Sequence, residues 1–255
     1  MSATSPAREA PRGASVSLPL QRLRRPGTGA APTAAAAAAA VVPGPSPLEK
    51  PLLRGWLHAA VVPVVLLAGA LLLARADGPA QVRSVVVFSG ASALLFATSA
   101  LYHRRGWTPR ALLRMKRLDH GNIPLAVAAG ATPLLTLGLP GGDGAVLLGV
   151  LWTAALLVAV SRWLWPSCPR PLHTAGTALV GWAVVPALPA VVANGQPVVA
   201  ALVVVAGVLV TAGGAVYATR WPEPSPRWFG HHEVFHALTV VAWPVHAAAV
   251  WLLCG

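Results

Sequence analysis

PVVAALVVVAGVLVTAGGAVY, residues 197–217, is the stretch that decides the fold. It holds no charged side chain, and it opens on a proline, which suits the first turn of a helix. At about 20 residues it has the length a helix needs to cross a ~30 Å hydrocarbon core. Six further apolar blocks flank it, at about Trp56–Leu73, Val82–Tyr102, Leu118–Leu137, Ala145–Trp165, Thr174–Ala193 and His232–Leu253. Proline and glycine mark junctions between them, as in Leu139-Pro140-Gly141-Gly142, Asn194-Gly195-Gln196-Pro197 and the Pro222–Pro226 stretch. The whole chain is 56% hydrophobic and only 10% charged, against about 25% charged in a soluble domain. The expected fold is therefore an all-α integral membrane protein, a seven-transmembrane-helix bundle over residues 49–255.

Residues 1–48 have a different composition, rich in Pro, Ser, Arg and Gly, with an alanine run from Ala34 to Ala40. That run is too short to span a bilayer and lies too far from the start for a cleavable signal. The segment reads as a disordered basic tail. Of the 19 Lys and Arg residues, all but Arg75 and Arg83 fall on the side of the membrane that holds this tail. By the positive-inside rule that side is cytoplasmic, so the N-terminus lies inside and the C-terminus outside. The same placement accounts for the net charge of +12 without a phosphate-binding face, and no nucleic-acid partner is expected. The tryptophans gather at span ends, as in an interfacial belt.

Seven acidic residues are present, and two of them, Asp119 and Glu233, stand at the edge of apolar spans. Ionisable groups at that depth are candidate functional groups; the alternative for Asp119 is a helix cap or a surface partner for Arg117. The last block opens His231-His232-Glu233-Val234-Phe235-His236. His232 and His236 are one helical turn apart on one face and can share a metal. The frame is not the H-E-x-x-H of a metalloprotease. His103 ends the second block four residues after Ser99, and Asp119 opens the third. The topology places Ser99, His103, Asp119, His232 and His236 within about two turns of the cytoplasmic face, on three helices. Three neutral imidazoles with an open fourth position make the catalytic arrangement for zinc, and Asp119 could orient or deprotonate water there. His58 and His173 read as snorkelling or supporting groups, and His120 as a residue facing headgroups. His246, about 15 Å of rise beyond His236, reads as an interhelical hydrogen-bonder.

Ser99-x-x-x-His103, Arg117-Leu118-Asp119-His120 and His232-x-x-x-His236 with His246 ten further on resemble, in order and spacing, the hemolysin III family. These are bacterial relatives of the progestin and adipoQ receptors. Gly55-Trp56-Leu57-His58 and Ala131-Thr132-Pro133 also fit, and the resemblance covers about residues 50–255. It implies a zinc ion held by His103, His232 and His236 near the cytoplasmic face, with Ser99 and Asp119 beside it. It also implies kinship with membrane hydrolases related to alkaline ceramidases, and a place in the cell membrane. The run Gly121-Asn122-Ile123-Pro124 departs from the apolar pattern expected there, and Pro124 puts a kink within reach of Asp119.

Three function classes follow. One is a zinc-dependent hydrolase of a lipid amide or ester, with Asp119 as general base and Ser99 positioning water or an oxyanion. The second is a receptor or regulator with a structural zinc, in which Asp119 is the fourth ligand. The third is a pore-forming cytolysin, which the spans oppose because they carry no charged ring or repeated polar stripe.

Overall fold

A computed structural model of the protein describes residues 51–139 and 142–255. The basic tail of residues 1–48 lies outside these residues. Among the described residues the structure is helical, with one isolated β-bridge between Ser225 and Phe229. The helices are α1 (Trp56–Arg75), α2 (Gly78–Arg104), α3 (Pro109–Leu137), α4 (Gly142–Leu164), α5 (Arg170–Trp182), α6 (Leu188–Ala193), α7 (Pro197–Thr219) and α8 (His231–Leu253).

The boundaries follow local chemistry. Proline occupies the first turn of α2, α3, α5, α6 and α7, where the missing N–H has no intrahelical partner to lose. Thr108 caps α3, its hydroxyl accepting from Ala111 N at 3.4 Å. The apolar block expected as one helix over Thr174–Ala193 is interrupted after Trp182. A single 3₁₀ turn, Val185–Ala187, joins α5 to α6. Pro186 and Pro189, only three residues apart, remove two backbone donors there and crowd the preceding turn, which weakens the α-helical ladder at this point.

Among the described residues, six helical segments are long and apolar enough to cross a membrane: α1, α2, α4, the Arg170–Ala193 pair, α7 and α8. Many of their Leu, Val and Trp side chains face outward, including Leu67, Val146, Leu157 and Leu179. In water such a surface would drive aggregation, whereas in lipid it is the normal exterior. The 29-residue α3 differs. It carries Asp119, His120, Asn122 and Thr132, all buried. It touches α2, α4, α5 and α8, so its polar groups meet protein rather than lipid.

The apolar core lies at one end of the bundle, around Leu134, Leu135, Leu151, Val191 and Leu253. A second cluster joins α1, α2 and α8 through Val65, Val85, Phe96 and Trp243. The opposite end, where α8 and α3 begin and α2 and α4 finish, collects the buried polar residues.

Candidate metal centre

Gly55 sets the entry to the site. It precedes α1 in the left-handed region, with φ +79°, and a Cβ there would lie 2.7 Å from the Cβ of His103. Only glycine allows the start of α1 to lie this close to the end of α2. The preceding strap is held on the α7–α8 loop, with Leu52 N donating to Arg227 O at 2.9 Å. Arg54 in that strap forms an ion pair with Glu233, which is fully buried in the first turn of α8. Glu233 also accepts from Gly230 N at 2.9 Å, completing the cap of α8. Glu233 thus anchors the helix that carries His232 and His236.

Against this frame the last turn of α2 and the first turns of α8 bring three imidazoles together. Ligand nitrogens of His103, His232 and His236 all lie within 4.8 Å of one another, and His103 Nε2 is 3.1 Å from His232 Nε2. Two nitrogens at about 2.0–2.1 Å from one tetrahedral zinc stand roughly 3.3 Å apart. The donor set and its spacing therefore fit a zinc ion. The ring centroids of His232 and His236 are 4.5 Å apart, one turn of α8. His236 is buried and His232 nearly so.

Asp119 lies beside this cluster, its Oδ2 3.8 Å from His103 Nε2 and 3.9 Å from His120 Nε2. The Ser99 hydroxyl is placed to donate to the same carboxylate. Arg117, the alternative partner for Asp119, points instead over the ring of Trp163 at 5.5 Å. The helix runs on through Pro124 and Pro133, and Asp119 keeps its place opposite His103.

One histidine departs from its expected place. His120 does not face headgroups. It is buried, and its Nδ1 accepts from Arg162 Nη2 at 2.8 Å. Of the two roles expected of His58, snorkelling and support, the structure is consistent with the second. His58 is 3% exposed and stacks on His236 with centroids 3.8 Å apart and planes at 10°. His246 takes the role expected of it, donating from Nε2 to Gly130 O at 2.9 Å. Arg162 was legible only as a topology charge. Yet Leu151, Ala155, Ala159 and Arg162 form the buried stripe of α4 at helical spacing, and that pattern was the available signal.

A cavity of about 460 Å³ opens from the cluster. Ser99, Asp119, His232 and His236 line its polar end, and it extends to Gly130 and His246 between α3, α5, α7 and α8. Its volume is that of a small-molecule site, and its walls are mostly apolar. A polar centre therefore opens onto a space suited to hydrocarbon. A protein-family model described as haemolysin-III related matches residues 47–247.

Proposed function

The chain belongs to the haemolysin-III related family, and from that premise we propose that it is a zinc-dependent hydrolase of the cell membrane, acting on a lipid amide or ester from the cytoplasmic side. In this reading α3 is the seventh span, the N-terminus is cytoplasmic and the C-terminus outside, following the Lys and Arg distribution. The observation that carries the proposal is the convergence of His103, His232 and His236, the last two lining an apolar cavity.

His103, His232 and His236 would hold the ion. When bound, zinc supplies a Lewis acid that polarises a carbonyl and acidifies water. The residues of the chain do the rest. The apolar walls admit an acyl chain and exclude bulk water, strengthening every electrostatic interaction at the mouth. Ser99 orients the Asp119 carboxylate. Asp119 Oδ2 accepts the proton of the attacking water and returns it to the leaving nitrogen or oxygen, so water and the acyl lipid yield a carboxylic acid and an amine or alcohol. Glu233 and Arg54 keep the first turn of α8 in place.

Elemental analysis of detergent-purified protein tests the centre. About one zinc per chain is expected, lost in a His232→Ala/His236→Ala double variant. Release of fatty acid from a panel of N-acyl and O-acyl lipids tests the chemistry. A folded wild type that takes up no metal when zinc is supplied sinks the proposal.

One observation favours a second reading, a receptor with structural zinc. Asp119 Oδ2, 3.8 Å from His103 Nε2, is near enough to become a fourth ligand after a small shift, and structural sites are four-coordinate. Asp119→Asn separates the two. A hydrolase keeps its zinc and loses turnover, whereas a structural site loses the metal.

A further inference from the structure

The cavity is apolar, yet it contains buried polar atoms that the protein leaves without partners. Both ring nitrogens of His58, on α1, have no hydrogen-bond partner. So does Nε1 of Trp243, on α8. Both residues line the cavity, and both are buried, His58 at 3% and Trp243 at 9% exposed. They flank the same ring. His58 meets Phe96 edge-on with centroids 4.9 Å apart, and Trp243 meets it at 6.4 Å.

This is unusual in energetic terms. A buried donor or acceptor left unmade keeps its full desolvation penalty, and a buried indole N–H normally finds an acceptor. Of the other polar groups lining the cavity, His173 on α5 also has a nitrogen, Nε2, without a partner, whereas two more are satisfied. Ser92 donates to Phe88 O at 2.7 Å, and His246 donates to Gly130 O. A neutral imidazole offers one donor and one acceptor, and an indole offers one donor only. The unmet demand is therefore for a group that can both accept and donate. A hydroxyl does both, accepting from one N–H and donating to the free imidazole nitrogen.

We propose that His58 and Trp243 form a hydroxyl-binding subsite, and that the lipid taken by the cavity carries a hydroxyl close to its acyl carbonyl. The position follows from the stacking of His58 on His236, which places the imidazole one ring thickness from the metal cluster. A hydroxyl two or three bonds from the carbonyl reaches it. This inference rests on the reading that the cavity holds the acyl lipid, and it narrows the substrate class within that reading. A lipid lacking the hydroxyl leaves the buried groups unpaired, which is how a polar subsite discriminates.

The test uses full-length protein in detergent and matched single-chain probes: hexadecanoic, 2-hydroxyhexadecanoic and 3-hydroxyhexadecanoic acids, the product form of the acyl group. Dissociation constants are measured by native mass spectrometry. At least one hydroxy acid should bind about tenfold tighter than hexadecanoic acid. His58→Phe keeps the ring stacked on His236 but removes both nitrogens. Trp243→Phe keeps an aromatic ring but removes the N–H, and serves if the first variant does not fold. Each should abolish the preference while leaving hexadecanoic acid binding within about twofold of wild type. Equal affinity for all three acids in the wild type overturns the subsite, as does a preference that survives in both variants. Binding and turnover fail separately: a preference without hydrolysis keeps the subsite and sinks the hydrolase, and hydrolysis without preference does the reverse.

Discussion

Arg162 donates from Nη2 to Nδ1 of His120 at 2.8 Å, joining the end of α4 to the first half of α3 inside the bundle. Arginine has donors and no acceptor, so Nδ1 must be the accepting nitrogen and the ring proton sits on Nε2. That nitrogen is the one 3.9 Å from Asp119 Oδ2. The arginine thus fixes the tautomer of a histidine and turns an N–H toward the carboxylate, as outer partners of metal centres commonly do.

Replacing Arg162 with Met should strand Nδ1 of a buried imidazole. The loss is about 1–3 kcal/mol, which for a chain of this size lowers Tm by about 5 °C. A double variant, Arg162→Met with His120→Phe, removes both partners and should recover part of that loss. Thermal melts in detergent give both numbers, and an Arg162→Met melt equal to wild type counts against the bond.

Gly55→Ala should disturb His103 directly, because the added Cβ falls 2.7 Å from the His103 Cβ at a φ of +79°. Zinc affinity should drop by about tenfold, the scale of a displaced supporting group. Gly195→Ala is the control. Its φ is +82° with nothing within 4 Å of the added carbon, so it carries a backbone strain of about 1–2 kcal/mol and no change in zinc affinity. Competition with a fluorescent chelator reads both.

Glu233→Ala leaves Arg54 without its carboxylate and Gly230 N without its acceptor. A broken buried pair costs about 3–5 kcal/mol, so this variant should express poorly or melt far below wild type. Glu233→Gln retains an acceptor for Gly230 N and should lose less. The order of the two melting points is the check.

Glu223, in the loop before α8, accepts from both the ring and the backbone N–H of His231. Partial burial works against its ionised form, but these hydrogen bonds and the His231 charge outweigh it and hold the carboxyl below its ordinary 4.5. A carboxyl depressed on folding contributes stability above pH 4.5, and that contribution is lost as pH falls through the lower folded value. Glu223→Gln should therefore melt below wild type at pH 7, with the gap closing as pH falls well below 4.5.

The membrane class and the meeting of the three histidines were legible because both rest on periodicity and depth. His103, His232 and His236 lie at span ends, where counting residues along a helix is enough to align them. The environments of His58, His120 and Arg162 were not, because they depend on which face of each helix turns inward. Interfacial spans carry little amphipathic signal, since lipid is as apolar as the core. The interruption at Trp182 was written in Pro186 and Pro189 but masked by an uninterrupted apolar composition. The polar start of α3 read as a departure from pattern. In the folded chain it is sheltered by four neighbouring helices.

That sheltering has a consequence for how the protein is made. A segment carrying Asp119, His120 and Asn122 partitions into lipid poorly by itself, since each aspartate at a helix centre adds about 2.5–3.5 kcal/mol to insertion. Helix α4, which covers much of it, has not been synthesised when α3 leaves the ribosome. Three of the four helices that shelter it, α4, α5 and α8, follow it in the chain. Pairing of His120 with Arg162 cannot precede synthesis of α4, and the cluster of His103 with His232 and His236 cannot form before α8 is made.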